Sequence, residues 1–164
     1  MTDLAELSRS QSIPKVQGKN FTAAYTGRSA DLHQYSFEHP RLKRRSTGKL
    51  FLKDHLNLTS MQVSLNKLPP GIAVPFYHAH QHNEELYIFT GGKGQMQIDD
   101  QIIDVDEGTV VRIAPTGWRT WRNNSPEDLY YIVIQAKDAS LEGDTFDDGI
   151  PSERPVTWST QLDA

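Results

Sequence analysis

The stretch Tyr77-His-Ala-His-Gln-His-Asn-Glu-Glu-Leu-Tyr-Ile-Phe-Thr-Gly-Gly-Lys-Gly94 decides how the rest of this chain is read. Its second half, Glu85-Leu-Tyr-Ile-Phe89, is rich in β-formers and stops at a glycine cluster, the composition of a strand running into a turn. Its first half holds three of the six histidines in the chain. Side chains at i and i+2 of an extended segment point to the same face, so His78 and His80 project together. A carboxylate arriving from the next strand completes a set able to hold a divalent ion. Imidazole and carboxylate suit Fe, Mn, Zn, Cu or Ni, with geometry rather than raw affinity setting the choice. A lone exposed histidine is ordinarily surface decoration; two on one face beside paired glutamates point to a site.

The same punctuation continues outward. Met61-Gln-Val-Ser-Leu-Asn-Lys-Leu68 alternates apolar and polar residues and ends at Pro69-Pro-Gly71. Gln95-Met-Gln-Ile98 leads into Asp99-Asp-Gln, Ile102-Ile-Asp-Val105 into Asp106-Glu-Gly108, and Thr109-Val-Val-Arg-Ile113 into Pro115-Thr-Gly117. Leu129-Tyr-Tyr-Ile-Val-Ile-Gln135 is the last strong strand. Seven or so short strands between Gly, Pro and Asp turns predict an all-β sandwich or barrel. No long 3.6-residue period interrupts them, which argues against an α/β sheet. Gly48 to Leu56 reads equally as a short amphipathic turn or a strand.

Composition narrows the function classes. The 164 residues carry 17 Lys and Arg against 21 Asp and Glu, a formal net charge of −4. Nucleic acid and anionic membranes call for a basic footprint, so neither is expected as a partner. The cluster at Arg41, Lys43, Arg44 and Arg45 reads as solvated surface rather than a phosphate site. Cysteine is absent, which removes disulfides, thiolate metal sites and cysteine nucleophiles. No segment approaches the ~18 apolar residues of a membrane span, and the polar start from Met1 to Ser10 has no signal-like core. Asn57-Leu-Thr59 and Asn123-Asn-Ser125 fit the glycosylation pattern, which carries little weight without secretion. A cytoplasmic location is the expectation.

Gly71, His78-Ala-His80, Glu85 and Gly92-Lys-Gly94 resemble the first motif of the cupins: Gly, about five residues, His-x-His, three or four residues, Glu, six residues, Gly. Here four residues separate His80 from Glu85 and six separate Glu85 from Gly92, while the gap from Gly71 to His78 is six. Glu84 with Gly91 also fits the loose pattern; Glu85 is preferred because it aligns Gly92-x-Gly94 with the family's Gly-x-Gly turn. Gly108, Pro115-Thr-Gly117 and Asn123 or Asn124 are similar to the second motif, whose histidine is missing. Counting from Gly117 puts Thr120 in its place; counting back from Asn123 puts Arg119 there. The resemblance covers roughly residues 60–137.

It implies a single cupin-type jelly roll, a double-stranded β-helix barrel. Residues 1–20 are expected to form a flexible or partner-contacting arm, 21–137 the barrel domain, and 138–164 an extended C-terminal tail. Two functional readings follow. In one, His78, His80 and Glu85 hold a divalent transition metal, and the protein binds or transforms a small polar molecule by dioxygenase- or isomerase-like chemistry. His82 lies towards a turn and is left outside that set. In the other, Arg119 points inward and pairs with Glu85, giving a non-catalytic binding module for a sugar or organic acid. Alternation adds Phe76, Tyr87 and Tyr131 as aromatic ligand contacts, and Trp118 and Trp121 sit around the missing-histidine position, Trp121 being taken as a further contact; core packing is the competing role and the better one for Phe89 and Val133. The acidic pairs Asp99-Asp100 and Asp104 to Glu107 fall in turns and receive no catalytic role. A homodimer built through the arm and an exposed sheet is the third expectation.

Overall fold

This computed structural model describes residues 12–39, 43–143 and 146–158. The chain runs through β1 (Lys15–Gln17), β2 (Thr22–Ala24), a 3-10 turn (Ser29–Gln34), β3 (Ser36–His39), β4 (Arg44–Thr47), β5 (Lys49–Phe51), α1 (Lys53–Leu56) and β6 (Met61–Leu68). It continues through β7 (Asn83–Gly91), β8 (Lys93–Ile98), β9 (Gln101–Asp106), β10 (Val110–Ile113), β11 (Arg119–Arg122) and β12 (Leu129–Lys137). The seven strands from β6 onward form the all-β core expected from the punctuation. One sheet has the order β10-β7-β12-β6-β5 and the other β11-β8-β9, and every pairing within them is antiparallel. The ambiguous Gly48–Leu56 stretch is both things in turn, a three-residue strand and then one helical turn, closed by Asn57 in the left-handed region at φ 56°.

The turn that the glycine cluster marks is sterically required. Gly92 sits at φ +80°, and a Cβ there would collide with the Asp128 carbonyl. Gly94 faces the Arg122 carbonyl at 2.5 Å from where a Cβ would stand, so β8 and β11 approach only because no side chain intervenes. β7 can therefore turn directly into β8 and pass from one sheet to the other.

Two apolar cores result. Between the sheets, Tyr87, Phe89, Met96, Val105, Ile113, Trp121, Leu129, Tyr131 and Val133 pack together. Strand alternation generates this face: Tyr87 and Phe89 on β7 sit opposite Val133 and Tyr131 on β12. The second core lies on the outside of β5 and β6. Ile13, Leu32, Leu50 and Leu52 gather there against Val63 and Leu65. Each such aliphatic side chain stabilises the arrangement by roughly 1.5–3 kcal/mol.

That outer core leaves the inner face of β5 and β6 polar. The residues paired across them on that face are Lys49 with Asn66 and Phe51 with Ser64, and both Ser64 and Asn66 are buried. The N-terminal residues described here, including the hairpin of β1 and β2, belong to this outer layer. From Ala139 onward the described residues form no strand or helix and are exposed, including Leu141, Phe146, Ile150, Val156 and Trp158. In the basic cluster, Arg41 lies outside the described residues, and the Arg45 guanidinium donates to the Ser36 hydroxyl.

Candidate metal centre

The approach to β7 and the start of β11 bring the motif residues together. His78 forms an antiparallel bridge with Arg119, each backbone N–H donating to the other's carbonyl at 3.2 and 3.0 Å. His80 is held two residues on, where its N–H donates to the Pro115 carbonyl. The two imidazoles face the same side, ring centroids 5.6 Å apart. Glu85 projects inward from β7 and is buried, whereas Glu84 points outward to Arg112 at 2.6 Å. Glu85 is thus the inward carboxylate. Ligand atoms of His78, His80 and Glu85 lie within 4.8 Å of one another. His82 is exposed, as its place near a turn implies.

Arg119 occupies the place of the absent histidine. Its side chain is wholly buried; Nε and Nη2 donate to Glu85 Oε2 at 3.1 and 2.5 Å, and Nη1 donates to the Gly117 carbonyl at 2.9 Å. Thr120 turns the other way and donates to the Val74 carbonyl. The two carboxylate oxygens have separate roles. Oε2 accepts from Arg119 and from the Tyr87 hydroxyl at 2.7 Å. Oε1 faces His80 Nε2 at 3.0 Å and accepts from Gln135 Nε2 at 3.2 Å.

The charge states follow from these contacts. Burial, with the nearby Arg119 charge, lowers the His78 pKa to about 4, so its imidazole is neutral at pH 7 with a lone pair to offer. Burial by itself would raise the Glu85 carboxyl, but hydrogen bonding with His80 and the charge and hydrogen bonds of Arg119 hold it far below the ordinary carboxylate range. Burial pushes Lys49 down to about 8, opposed by the charge of Glu85. Tyr87 and Tyr131 are raised, chiefly by burial.

These residues fit a divalent ion on three counts. His78 Nδ1 is buried and has no hydrogen-bond partner among the described residues, which is costly unless something else satisfies it. His80 Nε2 and Glu85 Oε1 stand 3.0 Å apart, about the separation of two donors bound cis to one ion at roughly 2.1 Å. Arg119 and Tyr87 hold the other carboxylate oxygen, as outer partners of a ligating carboxylate do.

The expected aromatic contacts surround this cluster. Phe76 touches the His78 ring at 5.9 Å, and Trp121 lies 5.9 Å from the same ring. Trp121 Nε1 donates to the Tyr131 hydroxyl at 2.8 Å, and Tyr87 stacks beside Tyr131. Tyr87, Trp121 and Tyr131 are core residues that border the cluster. Phe89 and Val133 are core residues. Asn123, not Asn124, has the structural role in the second motif: it is buried and donates to the Leu68 and Glu127 carbonyls.

Sequence reasoning passed over Gln135, Lys49 and Asn66. Gln135 pairs with Glu85 across β12 and β7 and lies 2.8 Å from His80 Nε2. A signal for it existed, because Tyr131, Val133 and Gln135 share one strand face. Lys49 and Asn66 lie outside the motif, and only the register of β5 on β6 brings them to the inner face.

A family model described as a cupin domain matches residues 64–135. A cupin protein from Bacteroides fragilis is 42% identical over 63% of this chain and 88% of its own, with a TM-score of 0.62. The chain belongs to the cupin family, and its barrel is the double-stranded β-helix of that family. Two further solved structures share the fold. One is a proposed sugar phosphate isomerase from Acidithiobacillus ferrooxidans, 24% identical over 56% of this chain and 60% of its own, TM-score 0.51. The other is a proposed oxalate decarboxylase from Thermotoga maritima, 20% identical over 67% and 96%, TM-score 0.55. No curated protein matches. Among the described residues no helix is long and apolar enough to cross a membrane.

Proposed function

We propose that this cupin binds one divalent transition metal through His78, His80 and Glu85 and uses the barrel to bind or transform a small anionic molecule. The observation that carries the reading is the division of Glu85: one oxygen is held by Arg119 and Tyr87, the other faces the imidazole of His80. A bound ion supplies Lewis acidity or oxygen activation at the open positions of a two-His, one-carboxylate set. The chain's own residues do the rest. Arg119 and Tyr87 keep the carboxylate ionised and oriented, Gln135 holds its second oxygen beside His80, and Phe76 and Trp121 form apolar walls. Arg119 and Lys49 bring two cations against one carboxylate, so a metal ion adds further positive charge, and an anionic ligand balances it. The oxalate and sugar phosphate named for the two fold relatives are anions of this kind.

The test is equilibrium dialysis of untagged protein against Mn, Fe, Ni, Cu and Zn. One ion per chain, lost in His80→Ala and retained in His82→Ala, is the expected outcome. No stoichiometric uptake of any of the five refutes it. A second reading, a metal-free module for an organic acid, is favoured by the Arg119–Glu85 pair itself. It predicts ligand binding that survives a chelator. The barrel and tail division at residue 137, the homodimer and the cytoplasmic location belong to the proposal as well, the last resting on composition; within the arm expected over residues 1–20, Ile13 is buried in the outer core and β1 pairs with β2, so that part belongs to the fold.

A further inference from the structure

The inner face of β5 and β6 holds polar groups that lie outside the ligand set His78, His80 and Glu85. Lys49 and Asn66 are paired across the two strands, and their side chains share the barrel face. Lys49 has no hydrogen bond or ion pair to any described residue; its ammonium lies 4.8 Å from the centre of the Phe51 ring. Asn66 is buried, and its Nδ2 donates to the Ser64 carbonyl, the Ser64 hydroxyl and the Tyr131 carbonyl. Two of those acceptors are carbonyls, so the amide cannot be turned round. Oδ1 must point the other way, where it is buried with no donor among the described residues. Leu50, between Lys49 and Phe51, is anchored in the outer core, which fixes the strand that presents the lysine.

A buried acceptor without a donor, across the strands from a cation with no direct ion pair among the described residues, is matched jointly by a ligand that carries both an anionic oxygen and a hydroxyl. A carboxylate alone satisfies Lys49 and leaves Asn66 Oδ1 stranded; an alcohol alone does the reverse. We infer that Lys49 and Asn66 form a subsite for a small hydroxy acid, the ammonium taking an anionic oxygen and Asn66 Oδ1 accepting from a hydroxyl. The inference deepens the proposed function by naming the ligand class, and it rests on the barrel interior being the ligand site. It does not need the metal.

Calorimetry with D-glycerate, propionate and glycerol tests it, on chelator-treated and on Mn-loaded protein. Glycerate is expected to bind at least about tenfold more tightly than either analogue, since one lacks the hydroxyls and the other the charge. Lys49→Met keeps the stem and removes the charge; it should weaken glycerate at least about tenfold while leaving glycerol unchanged. Lys49→Gln, polar and unbranched, also removes the charge and should do the same, which covers a poorly folded Lys49→Met. Mn affinity measured on the same variants should not fall below that of the parent, since the Lys49 charge near Glu85 opposes a second cation, so loss of the metal reading and loss of the subsite are separate results. Equal binding of glycerate and propionate, glycerate binding unaffected in both variants, or no binding of glycerate in either metal state overturns the subsite.

Discussion

Arg119→Leu removes the only guanidinium that touches Glu85 among the described residues and leaves the rest of β11 in place. The side chain is 0% exposed and its partner's is 7% exposed, so solvent cannot replace what is lost. Stranding one partner of a buried ion pair costs about 3–5 kcal/mol. Glu85 retains contacts with Tyr87, His80 and Gln135, which places the expected cost at the low end, about 3 kcal/mol. The Gly117 carbonyl also loses a donor, and that keeps the figure from falling much further. For a domain of this size the loss lowers the Tm by roughly 6–12 °C. Urea unfolding followed by tryptophan fluorescence measures it, since Trp121 packs beside His78. Glu85→Gln in the same background should restore part of the loss, because the uncompensated charge has gone, with a coupling of about 2 kcal/mol between the two sites. If Arg119→Leu costs less than about 1 kcal/mol, or the double variant is as unstable as the two single losses summed, the pair is not the buried, mutually dependent contact described above.

Three further outcomes follow. His78 has a lowered folded pKa of about 4, so unfolding takes up a proton between there and the ordinary value of 6.5. Stability of the metal-free protein should fall as pH drops through that window, then fall further as the depressed Glu85 carboxyl is driven towards protonation, and His78→Phe should flatten the upper part when urea midpoints are compared across the range. Asn123→Ala strands the Leu68 and Glu127 carbonyls and should cost about 2–3 kcal/mol by the same unfolding assay, with Mn affinity unchanged. Gln135→Leu, which removes the amide beside His80 Nε2 and Glu85 Oε1, should lower Mn affinity about tenfold while leaving stability nearly unchanged; an unchanged affinity removes Gln135 from the centre.

The barrel was legible in the chain because its cause is local. Period-two alternation put Tyr87 and Phe89 together on β7 and Tyr131 and Val133 together on β12, and the two pairs meet on one face of the sheet as that pattern requires. Gly92 and Gly94 could be read as a turn because only glycine fits there. His78, His80 and Glu85 stood at motif spacing. The choice between Arg119 and Thr120 did not lie in spacing, since an irregular loop from Ala114 to Trp118 lets the count run either way. The bridge of Arg119 to His78 and the pairing of β11 on β8 decide it. Lys49 and Asn66 were illegible for a different reason: their inward direction depends on where Leu50 and Leu65 go, which is set by residues as distant as Ile13 and Leu32.

That dependence gives the N-terminal layer a role in the site. A strand has two faces, and a single register slip exchanges them. On β5, Leu50 faces the outer core while Lys49 and Phe51 face inward. If Ile13 and Leu32 did not cover Leu50, the apolar and the charged faces of β5 would compete for the barrel interior, where Leu50 is the cheaper occupant by the cost of desolvating an ammonium. The outer core removes that competition by giving Leu50 and Leu52 a buried place elsewhere. The geometry of the His78, His80 and Glu85 cluster needs only β7, β11 and their loops, whereas the inward lysine needs the residues before the matched family segment, which begins at Ser64. The proposed subsite is therefore assembled across the boundary of that segment, Lys49 from before it and Asn66 from within it.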